Sequence, residues 1–435
     1  MTVGAGIGTA PKGGRVTAID SRRADPDRVL GRLHAEAIAA LAADLIRAES
    51  ENPGGTEVEA VRVLADALRV IGAEVTLDYV DTNRPNLVAR LGARRDSGHL
   101  RSPREGDAGI LFLGHSDVVP AGEGWTGDPY EPRREGDLLI GRGATDMKGG
   151  LAAVVAAMAA VHAEAPELPM TLVCTVDEEV DARGSLHYIR HFAPASYTAC
   201  IVAEPTGLAT ITACRGASNL RVSVSGASAH AGNPADGVSA ILAAADLIAE
   251  VEADDARLAQ APHPVLGAAC WNVGTIEGGH GTSIVPDRCV LSIDRRTLPG
   301  EEPGRILADL LERARERIAR RARPGAERIR LDGEVEMTMP GFCTDPDAPL
   351  VLAACEAVCE AGGEARTGVW SAACEGGFMA EHHKVPTIVL GPGDIAGQAH
   401  QPDETVSVHE LHTAARAYAL LALRLGDPGR DATPD

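Results

Sequence analysis

At the end of the apolar run in ILFLGHSDVVP a histidine and a carboxylate, His115 and Asp117, stand two residues apart. In an extended chain residues i and i+2 point to the same side. Both side chains therefore face one spot just beyond the strand's carboxyl end, the edge where open α/β sheets keep their ligands. Taken alone, the pair reads as a polar loop capping a core strand. Four further loops add to it: Asp146 in GRGATDMKGG, Glu178 and Glu179 in TVDEEV, Glu204 in VAEPTG and His400 in GQAHQPDE. Two histidines and several carboxylates at strand ends form the ligand set of zinc or a similar divalent ion, or of two such ions sharing one carboxylate. No single motif is specific, but five loops converging on one edge are. They point to a two-domain metal-dependent hydrolase.

Alternating elements have to bring these loops together. LGRLHAEAIAALAADLIRAES and EVEAVRVLADALRVIG read as helices, and EVTLDYV, NLVARLG and ILFLGHS as strands. The polar stretch ARRDSGHLRSPREGDAG reads as a hairpin or surface loop. GRGATDMKGGLAAVVAAMAAVHAEAP is a glycine-bent turn into a helix of small residues, while MTLVCTVDEEV and TACIVAEPTG are strands ending in acids. This alternation predicts an α/β fold with a mainly parallel sheet flanked by helices. From about Arg215 the pattern becomes β-α-β-β-α-β, a small two-layer α+β unit. The arginines of its second helix read as a solvated face. The first pattern then resumes, so the small unit, 214–332, is inserted between large-unit segments 26–213 and 333–427. Residues 1–25 and 428–435 read as tails.

Composition narrows the function. Lys plus Arg number 41 against 62 acids, a net charge of −21, which argues against general affinity for nucleic acid or an anionic membrane. Nine cysteines, an odd number without a C-x-x-C pair, predict small buried thiols in a reduced, cytoplasmic protein. Cys355 and Cys359, at helical spacing, read as core. The N-terminus has no apolar signal region, and no stretch reads as a membrane span. His34, His99, His162, His187 and His191 read as ordinary helix or loop histidines without an acid constellation. His382 and His383 fall near a helix end, where a cationic or donor side chain suits the dipole.

The segments GHSDVVP, GRGATDMKGG, DEE, AEPT, SAHAGNPADGVSA, IVPDRC and AHQPDE occur in this order along residues 35–425. In this the chain resembles the dizinc deacylases and exopeptidases that include acetylornithine deacetylase, succinyl-diaminopimelate desuccinylase and glutamate carboxypeptidase. The resemblance implies that His115 and Glu204 hold one ion, Glu179 and His400 the other, and that Asp146 bridges them. The ions would be zinc, with cobalt a possible substitute. Asp117 becomes the partner that hydrogen-bonds His115 and fixes its tautomer, and Glu178 the general base acting on a metal-activated water. It further implies a lid and dimerisation role for the small unit, a homodimer in which His230 reaches the partner's site as oxyanion donor, and Arg296 as receiver of a substrate carboxylate. Ser283 stands where many relatives have asparagine, which puts that substrate contact in doubt. The closing IVLGPGDIAGQAHQPDE is most similar to the acetylornithine deacetylase branch, implying a small N-acyl amino acid as substrate. A desuccinylase, a dipeptidase or carboxypeptidase, or a silent binding protein remains as an alternative; loss of a ligand or the base would mark the last, and all six positions are intact.

Overall fold

Strand Ile110–His115 divides its side chains between two cores, Ile110 and Phe112 packing into one and Leu111 and Leu113 into the other. Met170–Thr175 and Ala199–Val202 divide theirs in the same way, with Leu172 and Ile201 on the first side and Val173 and Val202 on the second. Strands buried on both faces appear in sequence as continuous apolar runs. The computed structural model describes residues 24–92 and 109–426. Apart from Ala24, Asp25 and Gly109, the expected tails and the loop ARRDSGHLRSPREGDAG lie outside them.

These strands form the centre of a nine-stranded sheet. Met170–Thr175, Ile110–His115, Ala199–Val202 and Thr387–Val389 lie side by side and parallel. Antiparallel pairs flank them, including the edge hairpin Glu74–Asp81 and Arg84–Leu91. Helices Ala35–Arg47, Val58–Val70, Gly149–Glu164, Pro349–Ala361 and Val408–Leu425 contribute to the core on one face. Arg183–His191 and Gly376–His383 contribute on the other.

The inserted unit is an antiparallel four-stranded sheet in the order Cys270–Gly278, Arg288–Thr297, Gly216–Ser225, Arg330–Met339. Helices Ala240–Leu258 and Pro303–Arg320 complete its own core. The boundary expected at 332 falls inside the last strand, which continues to Met339.

Three smaller expectations change. The arginines around the second small-unit helix are not simply solvated: Arg313 pairs with Asp254 at 3.1 Å, Arg317 with Glu250 at 2.8 Å and Arg321 with Asp246 at 2.9 Å. Those acids recur every four residues along the facing helix and are themselves buried. Cys359 is exposed and Cys355 half-buried, so this pair sits at the margin of the core. Residues Ala144–Glu164 are long and apolar enough to cross a membrane, contrary to the sequence reading, yet 89% of that window is buried inside the protein. A helix apolar all round is what a packed core requires.

Candidate metal centre

Parallel neighbours deliver their carboxyl ends to one edge, and the register decides what meets there. His115 lies opposite Thr175, and Leu113 opposite Val202. Two residues beyond the latter pair, His115 and Glu204 come level. Asp146 arrives from the turn Ala144–Lys148, which leads into helix Gly149–Glu164. The close seat of this helix needs Gly150, where a Cβ would lie 2.2 Å from the Ala203 carbonyl oxygen. Gly143 opens the same turn with φ +83°, a conformation L side chains rarely adopt.

Asp146 occupies the middle of the cluster. Its Oδ1 is 3.2 Å from His115 Nε2 and its Oδ2 3.4 Å from His400 Nε2. Glu204 Oε1 stands 3.4 Å from His115 Nε2, and Glu179 Oε2 3.2 Å from His400 Nε2. Glu178 lies farther out, 3.9 Å from His115 Nε2. The ligand atoms of His115, Asp146 and Glu179, and those of His115, Glu178 and Glu204, fall within 4.8 Å of one another.

Four carboxylates in so small a buried volume repel one another. Burial, reinforced by neighbouring charges, raises the pKa of Glu178 and Glu179, and raises that of Glu204 to about 8. Asp146 is held below the usual carboxylate range: burial acts to raise it, but hydrogen bonds from His115 and His400 prevail. His400 is raised to about 10 by its hydrogen bonds with Asp146 and Glu179. Burial alone would lower His115, yet Glu204, Asp117 and Asp146 hold it well above its ordinary value. So dense a set of buried carboxylates favours positive charge among them. Glu179 Oε1 is shielded from solvent and has no hydrogen-bond partner. An orphaned carboxylate oxygen among imidazoles and acids suits divalent cations, which supply that charge without protons.

Asp117 stands beside His115 as expected, but it does more than orient that ring. The nearest oxygen to His115 Nδ1 is the Asp117 main-chain carbonyl at 3.0 Å, and the carboxylate Oδ1 is at 3.6 Å. The carboxylate also accepts the backbone N–H of Glu178 on Oδ1 and of Glu179 on Oδ2, each at 3.1 Å. His115 thus directs Nε2 toward Asp146 and Glu204 through a carbonyl, while the Asp117 carboxylate fixes the turn bearing both glutamates.

His230, Ser283 and Arg296 lie on the small unit, whereas the large unit carries the whole ligand group. His230 is exposed; its Nδ1 accepts the Gly232 N–H at 3.0 Å. Ser283 is its neighbour across a short bridge, its carbonyl accepting the Ala231 N–H at 2.9 Å beside the His230–Ile284 pair. Arg296 is 37% exposed, and its Nε donates to Asp294 at 2.9 Å. Of the cationic or donor role expected at this helix end, His383 does not take the cationic one, since burial lowers its pKa to about 4 and Nδ1 accepts the Ala195 N–H, while His382 Nε2 donates to the Phe192 carbonyl at 2.8 Å.

Several supporting residues escaped the sequence. Asn52 donates to Asp117 and Asp177, 2.9 Å each. Glu404 accepts the N–H groups of Gly143, Thr145 and Asp146 and pairs with Arg142 at 2.7 Å, shaping the turn that presents Asp146. Glu375 accepts from Thr175 and Ser185 on either side of the Glu178–Glu179 turn. Glu404 lay within the quoted motif AHQPDE and its partner Arg142 within GRGATDMKGG; nothing local marks Asn52 or Glu375.

Fold and donor set together define a metal-dependent hydrolase, a sheet domain carrying the metal centre with a smaller unit inserted in it. The chain belongs to the peptidase family M20/M25/M40, which matches residues 111–424. It is 31% identical over 367 residues to acetylornithine deacetylase of Vibrio cholerae, covering 82% of this chain and 89% of that one. Among solved structures it resembles aminopeptidase PepT of Bacillus cereus, with TM-score 0.68 and 22% identity over 92% of this chain and all of that one. A dinuclear metal-binding peptidase of the M20 family from Bacillus subtilis gives TM-score 0.62 and 15% identity, covering 89% of this chain and 98% of that one.

Proposed function

We propose that the chain hydrolyses the amide bond of a small N-acyl amino acid, with acetyl as the first acyl group to test. The observation that carries the reading is Asp146, set between His115 and His400 with one oxygen toward each. The relatives called acetylornithine deacetylase support an acylated amino acid as substrate. His115 and Glu204 would hold one ion, Glu179 and His400 the other, and Asp146 both, with zinc the native metal and cobalt a working substitute. Bound ions supply Lewis-acid polarisation of the amide carbonyl and acidify water at the site. Glu178, left outside the ligand set, takes the water's proton and returns it to the departing amine. Arg296 receives the substrate carboxylate in this reading, and Ser283 is assigned with it to substrate binding.

His230 is the oxyanion donor for a partner subunit in this reading. Exposed Leu242 and Ile284 support a homodimer through the small units, because apolar side chains at 50% and 47% exposure beside the His230 loop are suited to burial. The nine cysteines, all free thiols, support a reducing, cytoplasmic setting.

A peptidase reading uses the same centre, and the aminopeptidase likeness favours keeping it in the test. The experiment is a panel of N-acetyl and N-succinyl amino acids and dipeptides, assayed for released amine after chelation and after zinc or cobalt is restored. Metal-dependent release strongest from N-acetyl amino acids supports the proposal. Preference for dipeptides or succinyl amides replaces the substrate, and turnover by a verified metal-free chain removes the mechanism.

A further inference from the structure

We propose that Asp78, His187 and His191 form a separate mononuclear site for a divalent transition metal of the zinc class. Asp78 lies on the edge strand Glu74–Asp81, and the two histidines lie on helix Arg183–His191. Their spacing of four puts both rings on one helix face, with centroids 3.8 Å apart. The acid comes from a distant part of the chain, so the sequence shows only two unremarked histidines.

Asp78 Oδ2 is 3.0 Å from His187 Nε2 and 3.9 Å from His191 Nδ1. One ligand atom from each residue falls within a 4.8 Å group. Bonds of about 2.0–2.1 Å in a tetrahedral zinc site put ligand atoms roughly 3.3 Å apart, which these separations bracket. Asp78 Oδ2 and His187 Nε2 are both shielded from solvent, and neither has a hydrogen bond of acceptable geometry despite their closeness. A single cation between them satisfies both, which their own alignment does not.

His191 Nδ1 also lies 3.0 Å from the His187 carbonyl oxygen. Taking the ion releases that contact, and water reaches the freed carbonyl because the His191 side chain is 55% exposed. The same opening gives the ion its entry path and leaves a coordination position for water. Two imidazoles and one carboxylate select zinc, nickel or copper over magnesium or calcium. An ion here ties the helix that follows the Glu178–Glu179 turn to the sheet edge, beside the Arg183–Asp81 ion pair at 3.3 Å.

The test is bound zinc per chain, measured after dialysis of the holoenzyme against micromolar free zinc. It compares wild type with His187→Gln/His191→Gln and with Asp78→Asn. Wild type is expected to hold one zinc more than either variant, whose amide hydrolysis stays at the wild-type level, and zinc added after the catalytic centre is filled is expected to raise the melting temperature of wild type alone. Equal stoichiometry in wild type and a folded variant overturns the site. Anomalous diffraction at the zinc edge from zinc-soaked wild-type crystals depends on no variant: a peak among the three side chains supports the proposal, and its absence overturns it.

Discussion

The Asp117 carboxylate accepts the backbone N–H of Glu178 at 3.1 Å, and through its other oxygen that of Glu179 at the same distance. One buried acid therefore sets the position of two others. With Asn52 donating to the same carboxylate, the arrangement is hydrogen-bonded on both oxygens before any ligand arrives.

Asp117→Asn is expected to act through this turn. An amide can accept on one atom only, so one of the two N–H groups loses its partner. Turnover should fall about 10- to 100-fold, the range for groups that orient metal ligands. Steady-state kinetics with a metal assay on the same preparation checks it; wild-type turnover would leave Asp117 a purely structural acid.

The two glutamates of the turn should separate experimentally. Glu178→Gln is expected to retain near wild-type metal while kcat drops by at least the roughly 10²- to 10⁴-fold of a single acid/base group, because one residue serves both proton steps. Glu179→Gln should lose metal, since its carboxylate meets His400. If Glu178→Gln is inactive only because it is metal-depleted, the two assignments exchange.

His230 belongs to the small unit while the ligand group belongs to the large one, which sets up a complementation experiment. Mixing inactive His230→Ala with inactive Glu178→Gln chains should restore activity, because one site in each hybrid dimer has both a native base and a native donor. Subunit exchange verified by mass, with no recovered turnover, would place the donor within its own chain or on another residue.

His383 predicts a pH dependence of stability. Burial lowers its pKa from 6.5 to about 4, so the folded chain keeps it neutral while the unfolded chain binds a proton. The unfolded state then binds more protons, and stability rises with pH. This contribution is complete above about 6.5 and is lost as pH falls toward 4. In His383→Gln, which keeps an acceptor for the Ala195 N–H, the urea midpoint should decline less between pH 7 and 5 than in wild type. Parallel curves for the two proteins would refute the attribution.

The residue types that gather at the sheet edge, their order and the two-unit α/β plan were legible in the sequence. Continuous apolar runs such as Ile110–Leu113 can be buried on both faces only in a covered parallel sheet, and acids that end such runs must then share an edge. What the sequence left open was pairing between distant segments. That Asp117 grips the Glu178–Glu179 backbone, that Glu404 shapes the Asp146 turn, and that Asp78 meets His187 and His191 follow from strand register and helix packing. Spacing along the chain reports which side of its own element a residue faces. It does not report which remote element will face it in return, because the combined packing of sheet and helices decides that.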